Sequence, residues 1–319
     1  MKELLCEYRR AGRVESVHRV SLVALEAGKA ALVRGRVDDP VFMRSCAKPF
    51  QSLTVLESGA ADAYGFTSEE ISVIGGSHPG EPEHVRAASS ILKKAKLTVK
   101  HLQCGVHPPS GSRALRDLIR RGQEPTAIHN NCSGKHSGMV AAVRFMRAPL
   151  ETYLNPGHPL QKANLRNLAR FAEMKPGEIG IGVDGCSAPT FALPLRAMAR
   201  ALATFTSAPG TPKRVRDAMM THPAMVGRPC ATIMSAAPGR ILAKVGAEGM
   251  YVCGFPGRNA GLALKVHDGS MRAFLPILHA VIRKLGWLEK DDLARLAKAA
   301  DRVLKNHAGR TVGEIRVVL

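Results

Sequence analysis

The chain has 319 residues, a formal charge of +20, 45% hydrophobic residues and only 4% aromatic ones. A chain of this length buries roughly three quarters of its unfolded surface, so the composition excludes disorder and leaves Leu, Ala, Val, Ile and Met to build the core. No stretch approaches the roughly 20 apolar residues of a membrane span, the charged N-terminus lacks an export-signal core, and seven scattered cysteines make a poor disulfide framework, so a reducing cytoplasm is the expected compartment.

Residues 13 to 34 read as two or three short strands with a turn around Glu26 to Lys29. After the turn at Asp38-Asp39-Pro40, a helix begins near Ser45 and ends at Gly59, with Pro49 tolerable only in its first turn. Thr67 and Glu70 form a capping box for a second helix, which breaks at Gly75-Gly76. Residues 77 to 82 are a turn, and helices follow at about 83 to 94, 111 to 121, 136 to 147, 158 to 174 and 190 to 204. Strands return as GRILAKV, GMYVCGF and LALKVHD, then helices at 271 to 285 and 288 to 305, then the strand-like EIRVVL. Strands at both ends with helices between them predict one sheet built from distant segments, an α+β arrangement. We read residues 1–319 as one catalytic unit, with an α/β part at 1–60 and 222–319 and a mainly helical part at 61–221.

The tetrad Ser45-Cys-Ala-Lys48 is the first place where chemistry can be read. Residues three apart on a helical turn share a face, and a serine hydroxyl becomes a useful nucleophile when a neutral lysine takes its proton. Moving a lysine from its usual pKa of about 10.4 to near 7.5 requires roughly 4 kcal/mol, which burial or a neighbouring cation must supply. The competing account is an N-cap serine followed by a solvent-facing lysine. Ser77, after two glycines, and Lys244, at the end of RILAK, are the candidates for a second hydroxyl and a second cation. Separately, Cys132 and Cys186 would suit zinc as thiolates, with His136 the conventional third ligand; buried structural cysteines and a helix-start Lys135 explain the same letters.

The blocks RSCAKPFQSLTVLESGAAD, SHPGEPEH, LQCGVHPP, HNNCSGKHSGM, GVDGCSAP, AKVGAEGMY and GLALKVHDG, ordered between about Gly12 and Gly269, resemble the bacterial L-asparaginase II family of the thermolabile, rhizobial type. The resemblance implies the fold of serine β-lactamases, penicillin-binding proteins and serine glutaminases: a central antiparallel sheet flanked by helices, with a helical insertion. It implies L-asparagine as substrate, hydrolysis of its side-chain amide to L-aspartate and ammonia through a seryl acyl-enzyme, and a homodimer. Carried onto this sequence, it makes Ser45 the nucleophile, Lys48 its base, and Ser77 with Lys244 the second hydroxyl and amine, Lys265 being the alternative to Lys244. The backbone N–H groups of Ser45 and Ala247 would form the oxyanion hole, each worth roughly 3 kcal/mol to the transition state. The zinc ligands implied are Cys132, Lys135 and Cys186, with water completing the site. Arg44, His78, Glu81, Asn130 and Asn131 are polar candidates for holding the substrate.

Two positions depart from the family's usual pattern: Ser187 stands where glycine is usual, and Pro79 where serine is. Two other readings use the same residues. One is a serine amidohydrolase or glutaminase acting on another small amide, since fold does not fix substrate. The other is a basic nucleic-acid-binding protein on an inert scaffold. Lys and Arg are spread along the chain without a dense tail, which favours a solvated basic surface over a nucleic-acid site.

Overall fold

The structure is a computed structural model that describes residues 2–300 and 302–319. Its architecture is α+β. Among the described residues, strands β1 (Leu4–Arg10), β2 (Arg13–Glu26), β3 (Lys29–Arg34), β4 (Pro40–Phe42), β5 (Gly180–Val183), β6 (Pro189–Pro194), β7 (Leu242–Val245), β8 (Met250–Phe255), β9 (Ala260–Val266), β10 (Val303–Lys305) and β11 (Thr311–Val318) form two sheets. The main sheet runs β10-β11-β1-β2-β9-β8-β7, with β3 paired to the second half of β2. Every pairing is antiparallel, and the register sets Val20 opposite Val266 and Leu5 opposite Val318, so both chain ends meet in one sheet as the sequence indicates.

Strands β7 and β8 are buried at every position instead of alternating, because helices cover both faces of the sheet there. On one face, the helix Leu195–Ser207 lies so close that a Cβ on Gly261 would come within 1.9 Å of Ala199 O, and one on Gly254 within 2.4 Å of Thr206 Cγ2. Only glycine admits that approach. On the other face, Phe274 meets the Tyr251 ring and Trp287 meets Phe255. Phe50, Phe171 and Phe205 pack ring against ring and lock the helix Lys48–Glu57 onto Pro159–Ala172 and Leu195–Ser207.

Three elements differ from the sequence expectation. Residues 189–194 form β6 before the helix starts at Leu195, and with β4 and β5 they make a separate three-stranded sheet. The last helix is Lys290–Ala300, and Val303–Lys305 instead pairs with β11. β1 is an additional strand whose inward side chains are Leu4, Cys6 and Tyr8. The capping box is present: Thr67 Oγ1 accepts from Glu70 N at 3.3 Å and Glu70 Oε2 from Thr67 N at 2.7 Å. No helix among the described residues is long and apolar enough to cross a membrane.

Candidate active site

Ser45 sits on a 3-10 turn, Arg44–Ala47, that leads into the helix Lys48–Glu57. It is not a helix cap: Ala47 occupies that position and no side chain caps the helix. Arg44 has φ +50°, a left-handed conformation that costs a non-glycine residue about 1–2 kcal/mol and must be held by its surroundings. The restraints are visible. Met43 N donates to Phe191 O of β6 at 2.8 Å, and Arg44 Nε donates to Asp184 Oδ1 at 2.8 Å. Cys46 Sγ donates to Lys244 O at 3.3 Å, and a Cβ on Gly246 would lie 2.7 Å from Met43 O. The turn is thus clamped between the small sheet and the end of β7.

Lys48 is not solvent-facing; it is 1% exposed. Its Nζ donates to Gly76 O, to Ser77 Oγ at 3.0 Å and to Asn131 O at 3.4 Å. Among the described residues it makes no hydrogen bond to Ser45, whose half-buried hydroxyl has no partner in the protein. Lys244, 0% exposed, donates from Nζ to Ser77 Oγ at 2.9 Å and to Val245 O at 2.7 Å. The Ser77 hydroxyl therefore bridges two buried amines. Burial pushes the Lys48 amine down to about 8; Cys132 and Cys186 oppose this, and Lys244 and Lys135 add to it. The loop carrying Ser77 is fixed by Ser77 N donating to Val226 O at 2.9 Å, and Gly227 approaches so closely that a Cβ there would lie 2.4 Å from Ser77 O.

Cys132, Lys135 and Cys186 are also brought together. Lys135 is 2% exposed and donates from Nζ to Cys186 Sγ at 3.0 Å. A hydrogen bond from Cys186, reinforced by Lys48 and Lys135 against the effect of burial, holds Cys132 well below the usual thiol range. That same bond and burial push the Cys186 thiol up, against the pull of Lys135. Burial disfavours charge on Lys135, but the two sulfurs outweigh it and hold its amine above the ordinary lysine range. Asp184 connects this cluster to the Ser45 turn: its carboxyl stays low despite burial because Lys135 and Arg44 both act on it. The sequence reading did not single out Asp184; its place two residues before Cys186 in GVDGCSAP was the available signal.

The other polar candidates are largely occupied within the fold. His78 is buried, with Nδ1 accepting from Gly80 N at 3.2 Å and Nε2 3.1 Å from Ser133 Oγ, and burial holds its imidazole neutral. Glu81 caps the helix Ser112–Arg120 by accepting from Arg113 N and Ala114 N, and it also pairs with the Arg113 guanidinium. Asn130 donates to Cys104 O at 2.9 Å and accepts from Cys132 N at 2.8 Å. Asn131 is half-buried, and its carbonyl accepts from Lys48 Nζ and from His78 N. His136 is bonded through Nδ1 to Tyr153 Oη at 2.6 Å and is not joined to the thiols. Lys265 donates to Glu248 O and not to Ser77. Ala247 is exposed, and its N–H has no protein acceptor among the described residues.

A cleft of about 800 Å³ opens beside this cluster, lined by Ser77, Pro79, Ser110, Arg113, Arg228 and Thr232 among others; Ser45 is not part of its lining. Pro79 thus borders the cleft, and its carbonyl accepts from Gly111 N at 2.8 Å. Ser187 has φ +65°, the conformation for which glycine, the residue the resemblance leads one to expect, is suited. Its N–H donates to Asp184 O at 2.8 Å, closing the turn beside Cys186. Ser187→Gly is expected to stabilise the protein by about 0.5–1 kcal/mol, read as a higher urea midpoint with an unchanged slope; an unchanged or lower midpoint would show that the left-handed serine carries no strain.

Among the described residues, no group of three or more His, Cys, Asp and Glu side chains is placed to hold a metal. The cluster here has only two such side chains, its third donor being an amine. A comparison with curated proteins finds no match. A solved structure described as "Crystal Structure Analysis of Mglu in its native form" superposes with a TM-score of 0.42 and 14% identity, covering 88% of this chain and 62% of that one. The chain therefore spans less than two thirds of that structure's length. The model of the L-asparaginase II family matches residues 6–317, nearly the whole sequence, a span that includes the Ser45, Ser77, Cys132, Cys186 and Lys244 segments. The chain belongs to the L-asparaginase II family.

Proposed function

We propose that this protein hydrolyses the side-chain amide of L-asparagine to L-aspartate and ammonia through an acyl-enzyme on Ser45. The observation that carries the reading is the convergence of two fully buried lysines on one hydroxyl beside the Ser45 turn, together with membership of the family. Lys48, whose amine burial lowers to about 8, is poised to exchange protons near neutral pH.

A neutral Lys48 keeps two N–H donors for Gly76 O and Asn131 O, which leaves its lone pair on the side of Ser77 Oγ to take a proton. As Ser45 Oγ attacks the amide carbon, its proton passes to Lys48. The oxyanion forms against the N–H groups of Ser45 and Ala247. The Lys48–Ser77–Lys244 chain returns a proton to the departing nitrogen, so ammonia leaves and an aspartyl ester remains. Water then attacks the ester and gives its proton to the same amines, which pass one to the departing Ser45 Oγ, freeing the hydroxyl and L-aspartate. A second reading has Ser77 as the nucleophile, favoured by its two amine contacts and its place on the cleft.

Two sulfurs and an amine, buried side by side with the Cys132 thiol held low, fit a zinc ion held by Cys132, Lys135 and Cys186. When bound, such an ion would supply Lewis-acid polarisation or orientation of a substrate group. Loading requires a neutral Lys135 and deprotonated thiols, so metal affinity should rise with pH.

The test is ammonia release from purified protein given L-asparagine or L-glutamine, with zinc measured in the same samples and in Cys132→Ser. Turnover of asparagine is expected, with zinc near one per chain in the wild type and about tenfold lower in the variant. Hydrolysis of another amide without asparagine turnover would overturn the substrate, and equal zinc in both proteins would remove Cys132 as a ligand.

A further inference from the structure

The cleft that reaches Ser77 contains a cation without an assigned role. Arg228 lines it, is exposed, and among the described residues has no hydrogen bond or ion pair. The other arginines nearby are committed. Arg113, on the same cleft, is paired with Glu81 and Glu83. Arg44 donates to Asp184 and lies 3.9 Å from Glu248. An unpaired guanidinium presents a planar fork of donors suited to a carboxylate.

The backbone that carries it is held against the loop of the reacting groups. Arg228 follows Gly227, whose backbone packs against Ser77 O, and Val226 just before accepts the Ser77 N–H. The turn that presents Arg228 is thus the one that holds the hydroxyl shared by Lys48 and Lys244. The ligand such a site would recognise is an amide that also bears a carboxylate, with its amide at the lysine-serine cluster and its acid group at Arg228.

We infer that Arg228 is a specificity-determining residue that anchors the α-carboxylate of the substrate in this cleft. The inference rests on the amide hydrolysis proposed above. A cleft of about 800 Å³ lies in the range of about 300–1,000 Å³ that holds drug-sized ligands, so a fixed charge is needed to position a small amino acid within it.

The experiment compares wild type, Arg228→Gln and Arg228→Lys. In Arg228→Gln, KM for L-asparagine is expected to rise about 10- to 100-fold with kcat within about threefold, the pattern of lost uniform binding. Arg228→Lys should recover part of the loss as a point charge without the fork. The carboxylate-free amide 3-aminopropanamide should be handled equally by wild type and Arg228→Gln. Calorimetric binding of L-aspartate should weaken by a similar factor in Arg228→Gln, and this arm needs no turnover. If wild type binds L-aspartate and Arg228→Gln does not, but no asparagine is hydrolysed, the proposed reaction fails and the anchor stands. Unchanged KM and L-aspartate affinity in Arg228→Gln would overturn the anchor, as would an equal loss with 3-aminopropanamide or a wild type that does not bind L-aspartate.

Discussion

Ser45→Ala is expected to lower asparagine hydrolysis by about 10³- to 10⁶-fold, the range seen when a serine nucleophile is removed, with fold and zinc content unchanged. The hydroxyl makes no hydrogen bond in the protein among the described residues, so its loss leaves no buried partner unsatisfied and the effect reads chemistry and not packing. Ser77→Ala is the necessary companion. It removes the oxygen that both Lys48 and Lys244 contact, and it should slow proton delivery to ammonia, with a smaller loss of about 10²- to 10⁴-fold. Trapping the ester by acid quench and mapping it by mass spectrometry separates the two readings. Label on Ser45 supports the proposed route; label on Ser77 with comparable turnover in Ser45→Ala would overturn it.

Lys48→Met should cost at least about 10³-fold in rate, because it removes the base, and it should change how both activity and stability respond to pH. In wild type, kcat/KM should rise with pH and level off above about 8, where the buried amine becomes neutral. The stability sign follows from the same shift. The folded amine titrates near 8 and the unfolded one near its ordinary 10.5, so between those values the unfolded chain binds more protons and stability rises with pH. Below about 8 both states are protonated and the cost of the buried charge is fully present; above 10.5 it is gone. The difference in unfolding free energy between wild type and Lys48→Met should therefore move in favour of wild type by about 3 kcal/mol across that window. Parallel urea titrations at pH 7.5 and 10.5 check this, and a constant difference would show that Lys48 is not a depressed amine.

The parts of this structure that could be read in advance are those where one rule acts alone. The strands from Arg13 to Arg34 and from Leu242 to Val266 are runs of β-favouring residues broken by glycine turns. β6 escaped notice because its six residues run straight into a helix at Leu195, leaving too few alternations for a period to register. β1 did carry an alternating pattern, with Leu4, Cys6 and Tyr8 inward, blurred by the apolar Leu5 and by the charges at Glu7, Arg9 and Arg10.

The Ser45–Lys48 spacing illustrates a different gap. Three-residue spacing promises a shared face only on a regular helix, and Arg44 at positive φ puts Ser45 on a 3-10 turn instead. Lys48 then turns inward to Ser77, a residue named in the sequence for its own loop. For His78, Glu81 and Asn130, polarity beside a motif could not show that their hydrogen-bonding capacity is used on neighbouring backbone, capping a helix or bracing a loop.

The register of the main sheet has a consequence for how the protein comes into being on the ribosome. β2 pairs edge to edge with β9, with Val20 opposite Val266, and the Ser45 turn is braced by Lys244 O. Closing contacts between such distant segments is slow. A nascent chain that has delivered the Ser45 and Ser77 segments but not yet residues 242–266 holds Lys48 without its second amine, and β2 without its neighbour β9. Catalytic competence should then appear late and all at once, and until it does the apolar half of β2 is a surface for chaperones to cover.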